Sequence, residues 1–185
     1  SASGFDWLLV DLEHGTHSDA VLMGNLQAIK GSAAMAIVRV GAPHPDLILR
    51  ALDWGSAGIM LPHVESAAEA ESCLQAMHYP PRGRRGVSRS ARVYDYGLRS
   101  MPAPEDLPRP LFFAQIESRR GIEHLAEIAA VEGGSLTRTG GLSFAGGPWS
   151  NYVGHAIATV VGALRERSGE LGLVWGNGGY LTKHS

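Results

Sequence analysis

Gly4-Phe5-Asp6-Trp7-Leu8-Leu9-Val10-Asp11-Leu12-Glu13-His14-Gly15 is an apolar run that ends abruptly in two carboxylates and an imidazole. Its apolar part has the length and residue types of a buried strand, and Asp-x-Glu-His-Gly then delivers chemistry to one loop. In α/β folds the reacting groups sit where strands give way to loops, because the packed sheet fixes them and the loop leaves them open to substrate. The segment also reads as a buried strand followed by a solvated polar turn. The rest of the chain decides between the two.

Short apolar runs rich in Val, Ile, Leu and Phe recur along the sequence, separated by longer segments of helical period, as in repeated βα units around a parallel sheet. The candidate strands are Phe5 to Asp11, Met35 to Val40, Ala57 to Pro62, Leu111 to Glu117, Leu142 to Ala145 and Leu171 to Trp175. Helical signals cover Asp19 to Lys30, Asp46 to Trp54, Ser66 to Met77, Gly121 to Val131 and Tyr152 to Arg167. Ser66-Ala67-Ala68-Glu69 has the form of a capping box, a hydroxyl and a carboxylate three residues apart that satisfy N–H groups at a helix start. Pro80, Pro81, Pro102, Pro104, Pro108 and Pro110 bracket a region that no helix crosses intact. A (β/α)₈ barrel takes eight strands and typically about 250 residues, so six strands in 185 residues predict a barrel incomplete at both ends. An open doubly wound sheet accommodates six strands as they stand, and periodicity alone leaves both architectures open.

Composition narrows the function. A chain of this length buries one good core, and no linker divides it, so one domain spanning residues 1–185 is expected. Net charge is -2 and pI about 6.4, with basic residues scattered apart from Arg82, Arg84 and Arg85, which argues for a small-molecule substrate and against nucleic acid. Cys73 stands alone and cannot form an internal disulfide; it reads as a small core residue in a reducing, cytoplasmic protein. No apolar stretch is long enough to span a membrane, and the start lacks the charged region of a signal peptide.

Two further strand ends carry chemistry. Ile37-Val38-Arg39-Val40 places an arginine inside an apolar run, where a guanidinium is costly unless it meets an anion; it reads equally as a strand-end arginine that snorkels or pairs with a carboxylate. Leu111-Phe112-Phe113-Ala114-Gln115-Ile116-Glu117-Ser118 ends in an amide and a carboxylate two apart, which an extended strand aims to the same face. That pair suits a metal ligand with a hydrogen-bonding neighbour, while a structural Glu117 paired with Arg119 or Arg120 is the plainer alternative. His17 and His63, as lone histidines, are expected to be surface or satisfied core residues.

Taken in order, these blocks resemble the HpcH/HpaI aldolase family of metal-dependent aldolases that act on pyruvate and its 2-keto acid adducts. The resemblance runs through Gly4-Phe5-Asp6-Trp7 and Asp11-Leu12-Glu13-His14-Gly15, Val38-Arg39-Val40, and Ala51-Leu52-Asp53-Trp54-Gly55-Ser56-Ala57-Gly58-Ile59-Met60-Leu61-Pro62-His63-Val64-Glu65-Ser66. It continues through Tyr79-Pro80-Pro81-Arg82-Gly83-Arg84-Arg85-Gly86-Val87 and Gln115-Ile116-Glu117-Ser118 to Ile128-Ala129-Ala130-Val131-Glu132-Gly133. It implies a (β/α)₈ barrel, a homohexamer, and a divalent cation (Mg, Mn or Co) that chelates the pyruvate carboxylate and keto oxygen. It also implies carbon–carbon lyase activity on 4-hydroxy-2-oxo acids, as in aromatic compound catabolism. By the same resemblance Glu117 matches a metal ligand, and His14 the base that takes the proton of the C4 hydroxyl, with Asp11 to orient it. Arg39 matches the arginine at the keto oxygen, and Gln115 lies beside the metal ligand.

The sequence departs from the family after residue 133. The family runs an apolar strand into Gly-Pro-x-Asp-Leu, whose aspartate is the second metal ligand; here Gly147-Pro148-Trp149-Ser150 follows a glycine-rich stretch, with Ser150 at the position of the aspartate. The Gly147-Pro148 pair survives, and by the resemblance these two residues are expected, with Arg39 and Gln115, to bind substrate. A hydroxyl is a poorer ligand than a carboxylate for a hard dication, so weakened metal binding and impaired activity are expected. A shifted reading frame over residues 133–150 and 176–185 is one origin of the change. Two alternatives stand beside the aldolase: a citrate-lyase-like acyl-CoA lyase, with Arg82 to Arg85 toward the CoA phosphates, and a catalytically inactive homologue serving as a binding subunit.

Overall fold

A computed structural model describes residues 5–14, 18–103, 106–107 and 109–131, together with 157, 161, 165 and 172–173. The chain divides into two compact units, one formed by Ser1–Pro62 with Glu71–Phe112 and the other by His63–Ala70 with Phe113–Ser185.

In the first unit, parallel strands β1 (Trp7–Asp11), β2 (Met35–Arg39) and β3 (Gly58–Leu61) lie side by side in chain order. Trp7 is in register with Met35, Asp11 with Arg39, and Ile37 with Gly58. Every residue of β3 is buried, as are Ala36, Ile37 and Val38 of β2. Such continuous apolar runs are what a parallel sheet covered on both faces requires, since no face is left for polar alternation. β4 (Leu111–Ala114) begins where the Leu111 N–H donates to the Ala57 carbonyl at 2.9 Å.

The helices in this unit follow their sequence signals. α1 (Asp19–Lys30) buries Leu22 and Leu26, one turn apart on one face. α2 (Pro45–Asp53) starts with Pro45, whose missing N–H costs nothing at a first turn. The preceding His44 caps it, Nδ1 accepting from the Asp46 N–H at 3.3 Å. Ile48, Ala51 and Leu52 form its buried stripe. α3 (Ala67–Met77) carries Cys73, 2% exposed, whose thiol is pushed up to about 12 by burial and is therefore an inert core group.

In the second unit, the end of β4 pairs in parallel with β5 (Gly172–Leu173), Phe113 opposite Gly172 and Ala114 opposite Leu173. At the start of α3, Ser66 Oγ accepts from the Glu69 N–H at 3.3 Å. The Glu69 carboxylate reaches one residue further back than a standard capping box, accepting from the Glu65 N–H at 2.7 Å.

Several expected boundaries shift. β4 stops at Ala114 rather than running to Glu117, because beyond it the Gln115 carbonyl accepts from the loop residue Val64. The helix expected over Gly121 to Val131 is two, α4 (Arg119–Glu123) and α5 (Leu125–Ala130), broken where His124 leaves helical geometry at φ -99° and ψ 11°. Of the last expected helix, Ile157, Val161 and Arg165 are helical and the first two are buried. The strand expected over Leu142 to Ala145 lies outside the described residues. Among the described residues, no helix is long and apolar enough to cross a membrane.

Candidate functional site

Asp11, His14, Arg39, Gln115 and Glu117 each lie at or just beyond the C-terminal end of a strand. In parallel α/β folds that is where loops open and site residues collect. Asp11 is the last residue of β1 and Arg39 the last of β2, and they are register partners. His63 follows β3 by two positions, and Glu117 follows β4 by three.

The first unit supplies an ion cluster. Arg39 donates from Nε to Asp11 Oδ1 at 2.8 Å and from Nη2 to Asp11 Oδ2, a two-pronged pairing of planar groups. Its Nη1 lies 3.0 Å from Glu13 Oε2, so one guanidinium sits between two carboxylates. The Arg39 and Glu13 side chains are largely buried, 16% and 9% exposed. The strand-end arginine thus pairs with carboxylates, the answer to burying a cation beside a sheet. Asp11 Oδ1 also accepts the backbone N–H groups of Glu13 and His14 at 3.0 and 3.2 Å, which fixes the turn out of β1. Burial pushes the Asp11 carboxyl up; hydrogen bonds from Arg39 and the two backbone N–H groups outweigh it and hold the group below the usual carboxylate range.

His14 is the open member of this loop, 72% exposed, with Nε2 3.7 Å from Glu13 Oε2. Asp11 touches its backbone and Glu13 approaches its ring. An exposed imidazole next to a carboxylate can exchange a proton with a ligand while remaining oriented.

The second unit presents Glu117. Its Oε2 accepts from the His63 N–H at 3.0 Å and lies 3.4 Å from His63 Nδ1. His63 adopts a left-handed backbone, φ 54°, uncommon outside glycine and often a mark of a constrained site. Gln115 Oε1 is buried without a hydrogen-bond partner among the described residues. A hard divalent cation takes carboxylate and amide oxygens and tolerates an imidazole nitrogen. Glu117 and His63 fit such an ion, and the orphaned amide oxygen is available to a ligand or a water.

Glu13 was read from sequence as one of two carboxylates delivered to this loop but was given no role, and His63 was set aside as a lone histidine, although both had a signal. Glu13 is two positions from Asp11, the spacing that returns a side chain to the same side of an extended chain; His63 follows a strand end directly. The three arginines of the arginine-rich loop differ in their surroundings. Arg85 is buried, donating to Asp53 Oδ1 at 2.5 Å with its guanidinium 4.5 Å from the Tyr79 ring centre. That leaves Arg82 and Arg84 exposed. His17, Gly147, Pro148 and Ser150 lie outside the described residues.

The sequence matches the model of the HpcH/HpaI aldolase/citrate lyase family over residues 1–145. A 5-keto-4-deoxy-D-glucarate aldolase of Escherichia coli is 38% identical over 131 residues, 71% of this chain and 51% of that protein. The chain therefore spans about half the length of the curated relatives it matches. Among solved structures, an HpcH/HpaI aldolase/citrate lyase family protein from Burkholderia cenocepacia J2315 aligns with TM-score 0.65 and 27% identity, covering 92% of this chain and 71% of that one. The citrate synthase SbnG aligns with TM-score 0.58 and 26% identity, covering 89% and 64% respectively.

Proposed function

This chain belongs to the HpcH/HpaI aldolase/citrate lyase family, with a parallel α/β fold of the (β/α)₈ barrel type, and from that premise we propose that it is a metal-dependent carbon–carbon lyase. Its substrates are 4-hydroxy-2-oxo acids, which it cleaves to pyruvate and an aldehyde or forms from them. A keto acid derived from a sugar acid, of the kind named for the Escherichia coli relative, is the first substrate to try.

The observation that carries the reading is Arg39, held by Asp11 and Glu13 at the end of β2. Cleavage next to a C4 hydroxyl leaves negative charge on the 2-keto oxygen, and a fixed guanidinium meets that charge without first reorganising. Asp11 and Glu13 are positioning groups for it. His14 takes the proton of the C4 hydroxyl on its imidazole and returns it when the bond is made; Glu13 steadies the cationic ring in between. Glu117 and His63 would hold the cation, and Gln115 would offer its amide to substrate or to a bound water. When bound, a divalent cation supplies Lewis-acid stabilisation of the developing enolate charge. Arg85 is paired with Asp53 and stacked on Tyr79, while Arg82 and Arg84 are exposed, so a citrate-lyase-like acyl-CoA lyase remains the alternative, and activity on acyl-CoA esters separates the two.

Retro-aldol turnover of a 4-hydroxy-2-oxo acid, followed as pyruvate release with Mn or Mg present, tests the proposal. Excess EDTA and Glu117→Ala are each expected to abolish turnover. His14→Ala is expected to lower it by about 10²- to 10⁴-fold with metal binding retained. Undiminished activity in EDTA sinks the metal role. A His14→Ala variant that loses metal affinity but not its rate makes His14 a ligand.

A further inference from the structure

We propose that the first unit carries a second binding site, for a small dianionic oxyanion, at the opposite end of its strands from Asp11 and Arg39. A cavity of about 320 Å³ lies there, floored by Met35 at the start of β2 and Ala57 just before β3, and walled by the last turn of α1 and the segment around residues 92–99. Its volume is at the lower end of the range that small-molecule sites occupy. Met35 and Arg39 are the two ends of β2. At the rise of an extended strand, the cavity floor is roughly 13 Å from the proposed chemistry.

Charge defines the ligand. The cavity is lined by Lys30, Arg92 and Arg99 against a single carboxylate, Asp95. Arg92 is 8% exposed, and its hydrogen bonds go to backbone: Nη1 donates to the Trp54 carbonyl and Nη2 to the Leu26 carbonyl at 3.3 Å. Carbonyl dipoles solvate a guanidinium but cannot neutralise it, so Arg92 keeps its full charge beside the cavity. Gly55 makes this placement possible. It has φ 102°, and a Cβ there would lie 3.1 Å from Arg92 Nη1, so a side chain would press on the guanidinium as well as strain the backbone.

Asp95 is the internal counter-ion. It also adopts a left-handed backbone, φ 49°. Its Oδ1 is 2.6 Å from Lys30 Nζ and its Oδ2 4.0 Å from Arg99 Nε. Arg99 in turn donates from Nη2 to the Val93 carbonyl, again a neutral acceptor. One carboxylate set against three cations leaves an excess that a dianion matches, and phosphate and dicarboxylate oxygens both suit arginine forks. Asp95 then competes with the ligand for the same cations.

Isothermal titration of the chain with inorganic phosphate and, separately, malonate at low ionic strength tests this. The variants are Asp95→Asn and Arg99→Gln, with melting curves to verify folding. Both side chains are partly exposed, and asparagine tolerates the left-handed backbone at position 95, so neither change touches the core. Asp95→Asn is expected to tighten anion binding, and Arg99→Gln to weaken it, each on the order of fivefold, the effect of one partly exposed charge. Binding of phosphate alone supports the site and assigns it to phosphoryl groups; binding of both assigns it to dianions generally. No binding of either anion to the unaltered chain overturns the proposal. So does binding that ignores both substitutions, which would place the anion elsewhere, as at Arg39. Neither result depends on lyase activity.

Discussion

Asp11 and Arg39 are 28 positions apart in sequence and directly opposite each other in the sheet, where facing residues of adjacent strands interact. Their pairing gives a pH dependence whose direction is fixed. A carboxyl whose folded pKa lies below its unfolded value contributes stability that is complete above the unfolded pKa and is lost as pH falls through the folded one. Asp11 is such a group, with an ordinary value of 3.8. Asp11→Asn removes the ionisable partner, so urea unfolding should show a stability gap to the unaltered protein that is constant above about pH 5 and closes below about pH 4. A gap that stays the same at pH 3 would mean that Asp11 acts through packing rather than charge. Ionisable groups at the ends of apolar runs drew attention to Asp11, Glu13, His14, Arg39 and Glu117, and the family resemblance then chose Asp11, His14, Arg39 and Glu117 among them. Which carboxylate meets which cation was not legible, since that depends on strand register. His63 was discounted because one histidine has no periodicity; its proximity to Glu117 arises only when the loop after β3 folds back to Glu117.

Elements were more legible than their ends. α1 spans the residues its apolar spacing predicts, and α2 and α3 agree within one position at each end, because caps and one-turn spacing are written locally. β4 and the α4–α5 pair differ because backbone partners distant in sequence, or a local turn at His124, decide where an element stops. Gly58 shows how such a distant partner acts. A Cβ on it would sit 2.5 Å from the Leu111 carbonyl oxygen, 2.7 Å from Leu111 Cβ and 3.1 Å from Ile37 Cδ1. Backbone oxygen cannot swing aside as a flexible side chain does, so β3 and the start of β4 must part to admit a methyl group. Gly58→Ala is therefore expected to cost about 1–3 kcal/mol, as over-packing of a close-packed interior does. Urea denaturation should show a lower midpoint at unchanged slope, since the area exposed on unfolding hardly alters. An unshifted midpoint would mean that the two strands separate freely there.

At the scale of the whole molecule, the proposed cation would link binding to folding, and the linkage can be measured whether or not the chain turns over substrate. A cation that binds the folded chain at a hundred times its dissociation constant stabilises it by about 2.7 kcal/mol. For a chain of this size that is a rise in Tm of roughly 5–10 °C. Mn or Mg should raise the Tm, and Glu117→Gln should remove most of the rise, because a neutral amide is a far weaker ligand than a carboxylate for a hard dication. The family resemblance puts an aspartate where this sequence has Ser150, and no Asp follows Asp106. The chain is therefore expected to bind its cation with one carboxylate fewer than the family pattern provides, and the dissociation constant to be correspondingly high. Ser150→Asp restores the missing charge. If position 150 corresponds to the family's second ligand, the variant should reach the same rise in Tm at a markedly lower Mn concentration, and the gain should vanish when Glu117→Gln is added, because two ligands of one ion are coupled. A Ser150→Asp gain that survives loss of Glu117 would mean that two separate ions are bound. No gain at all would remove position 150 from the proposed metal site.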